Sequence, residues 1–449
     1  MNSNRRVLLF VLSSVTLYLL FSFSAYLFGF QWMPFKRVNL IADVVKEEDV
    51  MPVITDSIQD TGPVTVDNKP SKDFKLYLGG RYITDFSTDS SRPSLNRILS
   101  RLAELKKGQK TKIRIAYFGD SMIEGDLMTQ TIRELLQAEF GGSGVGFVPV
   151  TSLVSKFRQS AWANYSGGWE DESFKTKGNS RLYLSGHLFR GNGDWVEIRD
   201  QTIRDSSAII EKSLICGAST RPVSITVNGG SFTVSAPNAL NRVVLAKDRQ
   251  ASIRLQVSDP SLPVYGISFE TASGVHLDNF SFRGITGIEL ARIDSNFLAS
   301  IAENNSYDLI VFQYGVNLLF RPNDKNFSWY GKSLAPVIRK FRNCFPNSDI
   351  LIVSTADRAF RYNGKYESAV GIDSLVKVQA ALAYENGASF YNQYASMGGR
   401  NSIVEWASRN PSLANKDYVH PNHRGAELLG RYFFEAIMQE YRKYLKTVR

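Results

Sequence analysis

The sequence predicts an α/β fold: a doubly wound parallel sheet in a three-layer sandwich, split by an inserted all-β domain and preceded by an N-terminal transmembrane helix. Three observations carry this. Short apolar, strand-like runs alternate with helically periodic stretches on both sides of the chain's middle. Between them, residues 157–269 are a succession of short β-like runs punctuated by turn residues. Residues 7–30, VLLFVLSSVTLYLLFSFSAYLFGF, hold no charged side chain and have about the length needed to span a bilayer as a helix.

At the N-terminus, Arg5 and Arg6 are nearly balanced by Lys36 and Arg37, so charge alone does not orient the helix. The short leading tail and the single large region that follows favour a retained anchor with the bulk of the chain outside the cytoplasm. A cleaved signal peptide is the alternative. Residues 34–74 mix acidic residues, Pro, Thr and Ser without periodicity and read as a linker. The expected organisation is therefore anchor 1–33, linker 34–74, first half of the α/β domain 75–155, β insertion 156–270 and second half 271–449.

In the first half, residues 93–107 place Leu95, Ile98, Leu99, Leu102 and Leu105 on one helical face, with Gly108 closing the turn. KIRIAYF, residues 112–118, reads as a strand that delivers Gly119, Asp120 and Ser121 at its C-terminal end. A helix is expected over 123–140, stopped by the glycine-rich stretch 141–144. The insertion contains Asn228-Gly229 between two alternating runs, a strong hairpin signal. Beyond it VHLDNFSF, DLIVFQYG and DILIVSTA read as strands, and 424–444 as a long closing helix.

Composition excludes some classes. The 449 residues carry a formal net charge of +10, but Lys and Arg are interspersed with acids, and no basic run with interleaved aromatics marks a nucleic-acid groove. The two cysteines, Cys216 and Cys344, fall in different folding units, as two free thiols or one bridge. None of the four histidines belongs to a metal-ligand pattern, and no cofactor is expected.

In an open α/β sheet the chemistry lies beyond the carboxyl ends of the strands, and Ser121 is placed there. A serine hydroxyl needs a base, and the base needs an orienting group. Asp417 precedes His420 by three residues, so one tight turn can bond the carboxylate to one ring nitrogen and leave the other for Ser121. His187, His276 and His423 read as structural or surface residues. Asp120 and Glu124 read as complements to the dipole of the next helix and stay outside the site.

These pieces together resemble the SGNH (GDSL-like) hydrolase superfamily. Its blocks occur in order as Gly119-Asp120-Ser121, a glycine block ending at Gly284, Gly315-Val316-Asn317, and Asp417 to His420. Ser281 and Leu318 depart from the usual pattern. The resemblance implies a Ser121, Asp417, His420 triad, with an oxyanion hole from the Ser121 N–H, the Gly284 N–H and the Asn317 amide. GDSMIEGD, the β insertion and ASFYNQYASMGGRNSIVEWA look like the peptidoglycan O-acetylesterase branch, in which the insertion resembles a carbohydrate-binding module. Trp162, Trp169 and Trp195 are candidate sugar-stacking rings or core tryptophans.

The resemblance thus implies an esterase removing O-acetyl groups from an envelope polysaccharide, which the apolar stretch 7–30 would tether to the membrane. The same residues would serve an O-acetyltransferase fed by a membrane-bound acyltransferase. A third reading is a non-catalytic glycan-binding envelope protein.

Overall fold

Alternating burial explains the central sheet. In the strand Lys112–Gly119, Ile113, Ile115 and Tyr117 enter one hydrophobic layer while Ala116 and Phe118 enter the other. A strand buried on both faces is what a parallel sheet covered by helices requires. The computed structural model describes residues 71–87, 93–178, 181–205 and 207–448, together with Ser13, Ser14, Thr16, Leu17 and Leu20. The expected membrane helix otherwise lies outside the described residues, as does the linker up to residue 70. Among the described residues no helix is long and apolar enough to cross a membrane. The chain divides into two compact units, Met1–Val64 and Thr65–Arg449, and the second holds everything that follows.

Six strands form the main sheet: β1 Ile83–Asp85, β2 Lys112–Gly119, β3 Gly274–Ser281, β4 Leu309–Gln313, β5 Asp349–Val353 and β6 Ser389–Tyr391. Their order is β1-β6-β5-β4-β2-β3. Five are parallel, and β1 runs antiparallel at the edge against β6. At three residues each, β1 and β6 are too short to leave a periodic trace in the sequence.

Helices cover both faces. Helix α1, Asn96–Lys106, α2, Thr129–Phe140, and α6, His423–Thr447, pack on the Ile113 side. Helix α3, Ser295–Asn304, α4, Ser328–Cys344, and α5, Ile372–Glu385, pack on the Phe118 side. There Phe118 stacks on Phe312 with ring centroids 5.5 Å apart. Each large apolar side chain buried this way stabilises the fold by about 1.5–3 kcal/mol.

Helix α2 starts six residues later than its apolar pattern suggests. Gly125, Asp126 and Met128 all adopt positive φ, so the chain makes a 3-10 turn at Glu124–Asp126 before the helix can begin. Asp126 fixes that detour. Its carboxylate is fully buried and receives both terminal nitrogens of Arg133 at 2.7 and 2.8 Å. It also accepts from Thr129, Ser160 and Arg158.

The insertion is a pair of antiparallel sheets of five and six strands enclosing their own apolar core. The expected hairpin is present, with Asn228 and Gly229 at φ 50° and 85° between Val223–Val227 and Gly230–Val234. The β region begins earlier than residue 156, because Gly146–Pro149 pairs with Val264–Glu270. Ile210–Gly217 is a further strand without a sequence signal: it is buried almost throughout, including Lys212 and Ser213, so no polar alternation marks it. Entry and exit of the insertion meet at one neck. A Cβ on Gly274, which has φ +108°, would lie 2.3 Å from the Gly142 Cα, so only glycine fits there. Cys216 and Cys344 are free thiols.

Candidate active site

Three neighbouring strands end at one level, with Ser281 of β3, Gly119 of β2 and Gln313 of β4 in register. Their following loops carry three of the four sequence blocks. Ser121 leaves β2 partly exposed, directly beyond the sheet. The fourth block arrives on the loop before α6, which is pinned by Asn415 N–H to His420 C=O (2.9 Å) and by Ala359 N–H to Tyr418 C=O (3.0 Å).

The structure brings Ser121, His420 and Asp417 together in series. Ser121 Oγ lies 2.8 Å from His420 Nε2, and His420 Nδ1 lies 2.7 Å from Asp417 Oδ2. With Nδ1–H donated to the carboxylate, Nε2 is left as the acceptor for the serine proton. The other Asp417 oxygen accepts the Val419 and His420 N–H groups at 3.0 and 3.1 Å. Tyr418 takes φ 56° to close this turn. Burial alone would raise the Asp417 carboxyl, but the His420 bond and the two backbone donors outweigh it and hold the group below its usual value.

Gly284 adopts φ +83° in the loop after β3, with open space where a side chain would stand. Just before Gly284 that loop is tied to the nucleophile loop, and just after it to Asn317. Phe282 N–H donates to Gly119 C=O at 3.0 Å, and Arg283 Nε donates to Glu124 at 2.6 Å. Asn317 then holds Ile285 C=O at 2.9 Å. Neither the Ser121 N–H nor the Gly284 N–H is taken up by a partner among the described residues. Free backbone amides in the loops around a nucleophile are the kind of donor a developing oxyanion needs.

Asn317 departs from expectation. Its amide nitrogen donates to Ile285 C=O and to Asp120 Oδ2 at 3.1 Å, so both hydrogens are committed in this structure. It braces the frame that carries the two backbone donors. Asp120, left outside the site by sequence reasoning, is that frame's other member. It is wholly buried and accepts from Met122 N–H at 2.9 Å. Burial pushes its carboxyl up to about 7, against the Met122, Asp120 and Asn317 donors. Neither Asp120 nor Glu124 complements a helix dipole, because no α-helix begins until Thr129.

Sequence reasoning also missed Arg358. It donates to Val316 C=O at 2.8 Å and adds a positive charge beside Asp417, linking the third and fourth blocks. The only hint was its place just after the strand DILIVSTA. The remaining histidines have other partners: His187 bonds Asp171 and stacks on Phe282, His276 is buried in the sheet, and His423 lies against Phe157. Of the insertion's tryptophans, Trp162 is exposed, Trp195 lies under Arg254, and Trp169 packs against the sandwich core.

A serine, an imidazole and a carboxylate in this series, with two free amides beside them, can carry out acyl transfer. No family model matches the chain, and no curated protein matches it. Among solved structures, a peptidoglycan O-acetylesterase superposes with a TM-score of 0.66 at 21% identity, covering 80% of this chain and 99% of that one. A family two carbohydrate esterase from Clostridium thermocellum, solved with cellohexaose, gives 0.30 at 10% identity over 62% of this chain and 98% of that one. A GDSL-like lipase from Parabacteroides merdae gives 0.28 at 17% identity over 36% and 72%. The first likeness shows the shared fold: an α/β unit with a parallel sheet and additional β sheets.

Proposed function

We propose that this chain is a serine esterase that removes O-acetyl groups from an extracytoplasmic, peptidoglycan-like polysaccharide. The observation that carries the reading is the unbroken series Ser121, His420, Asp417 beside the free Ser121 and Gly284 amides. His420 Nε2 takes the Ser121 proton as Oγ attacks the acetyl carbonyl carbon. The two amides hold the oxyanion of the tetrahedral intermediate. Its collapse breaks the ester C–O bond, and the sugar oxygen takes the proton from Nε2. Water then gives a proton to Nε2, attacks the acyl carbon and releases acetate, restoring Ser121.

The rest of the chain fits this reading. Residues 7–30 would tether the enzyme to the membrane with its α/β unit outside the cytoplasm, and the sandwich would serve as a glycan-binding module. The test is acetate release from O-acetylated peptidoglycan by the detergent-solubilised full chain and its Ser121→Ala variant. Equal release by both would overturn the reading in favour of a non-catalytic binding protein. Acetyl appearing on an added glycan acceptor instead of in solution would reassign the same residues to transfer, with a membrane-bound O-acyltransferase as donor.

A further inference from the structure

The loop that supplies His420 carries an aromatic ring at each end of a short stretch. At one end Tyr366 stacks on Tyr418, with centroids 4.0 Å apart and planes at 28°. At the other, Phe157 lies on His423 with centroids 4.4 Å apart. Tyr366 comes from the hairpin of Ala359–Tyr362 and Lys365–Ser368, and Phe157 from the turns between the strands Gly146–Pro149 and Ala161–Tyr165. Both rings stay open to solvent, Tyr366 at 43% and Phe157 at 48%. His420 lies between them along the chain, and the Tyr418 and His423 Cα atoms are at most about 18 Å apart. Phe157 also touches the nucleophile loop, since a Cβ on Gly125 would meet its ring at 3.0 Å.

Each ring has a cation as its cross-strand partner or its sequence neighbour. Arg361 is the cross-strand partner of Tyr366 and therefore shares its face of the hairpin. Lys156 adjoins Phe157 in sequence, and both cations are exposed. The acids on this rim are Glu124, bound to Arg283, Glu367 on the opposite face of the hairpin, and Asp417 in the triad. Exposed ring faces suit the apolar faces of pyranoses, and exposed cations suit carboxylates.

We propose, resting on the esterase reading, that Tyr366 with Arg361 and Phe157 with Lys156 form two sugar subsites flanking Ser121. The substrate they select is an O-acylated acidic polysaccharide laid along the Tyr418 to His423 stretch. Neutral glycans lose the two ionic contacts, and small esters gain nothing from either ring.

The test measures kcat/KM of the full chain on three probes: O-acetylated polygalacturonate, O-acetylated xylan and 4-nitrophenyl acetate. Wild type should prefer the polyuronate to xylan about ten-fold at low salt, and the preference should shrink as salt is added. Tyr366→Ala and Phe157→Ala should each lower the ratio of polyuronate to 4-nitrophenyl acetate turnover at least five-fold. Arg361→Gln should remove most of the preference over xylan. Unchanged ratios in these variants would overturn the proposal. So would tight binding to anionic phospholipid vesicles lost in the same variants, which would make the rim a membrane contact. A wild type that cleaves 4-nitrophenyl acetate no faster than Ser121→Ala points instead to failure of the underlying esterase reading.

Discussion

Ser121 Oγ and His420 Nε2 stand 2.8 Å apart although 299 positions separate the two residues. Replacing Ser121 with Ala should lower kcat for ester cleavage by about 10⁴- to 10⁶-fold. The side chain is small and partly exposed, so the melting temperature should hardly move. Acetate release and a thermal melt on the same preparation check both halves of this expectation.

Asp417→Asn keeps the shape of the turn but alters the group that fixes the His420 tautomer. An amide nitrogen facing Nδ1 can no longer accept its proton, so kcat should fall by about 10²- to 10⁴-fold with little change in KM. Steady-state kinetics on 4-nitrophenyl acetate read this directly. A rise in KM at constant kcat would mean that Asp417 binds substrate and does not orient the base.

Gly284→Ala tests the amide pocket. Nothing crowds the added methyl, so the cost arises from φ +83° alone, about 1–2 kcal/mol for a non-glycine residue. Backbone relaxation away from that angle would turn the Gly284 N–H, and kcat should drop about 10²-fold. Denaturant unfolding and kcat, measured side by side, separate lost stability from lost catalysis.

Asp120 gives the native state a pH dependence with a definite sign. Its carboxyl titrates near 7 when folded and near about 3.9 when unfolded. Between those values the folded chain holds the extra proton, so this group's contribution to stability declines as pH rises from about 4 to 7. Asp349, also pushed up to about 7 by burial, acts in the same direction. The Asp120→Asn variant should therefore gain on wild type, on the order of 1–3 kcal/mol, between pH 4.5 and 7.5. Unfolding curves across that range provide the measurement; a constant difference would rule the effect out.

Asp126→Ala should destabilise the fold by about 3–5 kcal/mol, because it leaves the buried Arg133 guanidinium without its carboxylate. Changing both, as Asp126→Leu with Arg133→Met, should recover much of that loss. The two denaturation midpoints decide whether the pair acts as a unit.

The site was legible in the sequence where chemistry leaves short local motifs. Gly119-Asp120-Ser121 after an apolar strand and Asp417 three residues before His420 were each weak alone, but with the other two blocks in order they singled out the three residues that the structure joins in series. The bracing was not legible. The bond from Asn317 to Asp120 and the bond from Arg358 to Val316 join residues far apart in the chain, and only the sheet order makes them neighbours. The same limit explains the helix start at Thr129, set by a buried ion pair that reaches Arg158 at the near end of the insertion. Central strands announced themselves through apolar runs, whereas β1 and Ile210–Gly217 did not, one too short and the other too uniformly buried to show a period.

The glycine neck between the α/β unit and the sandwich would by itself allow the sandwich to swing. It does not swing freely, because Phe147 and Tyr183 on the sandwich side pack against Phe280 of β3, and Tyr265 packs against Phe297 of α3. The sandwich and Ser121 thus move as one piece, like a caliper locked at one opening. On the reading proposed above, a polymer held by the sandwich would meet Ser121 at a constant offset along its length.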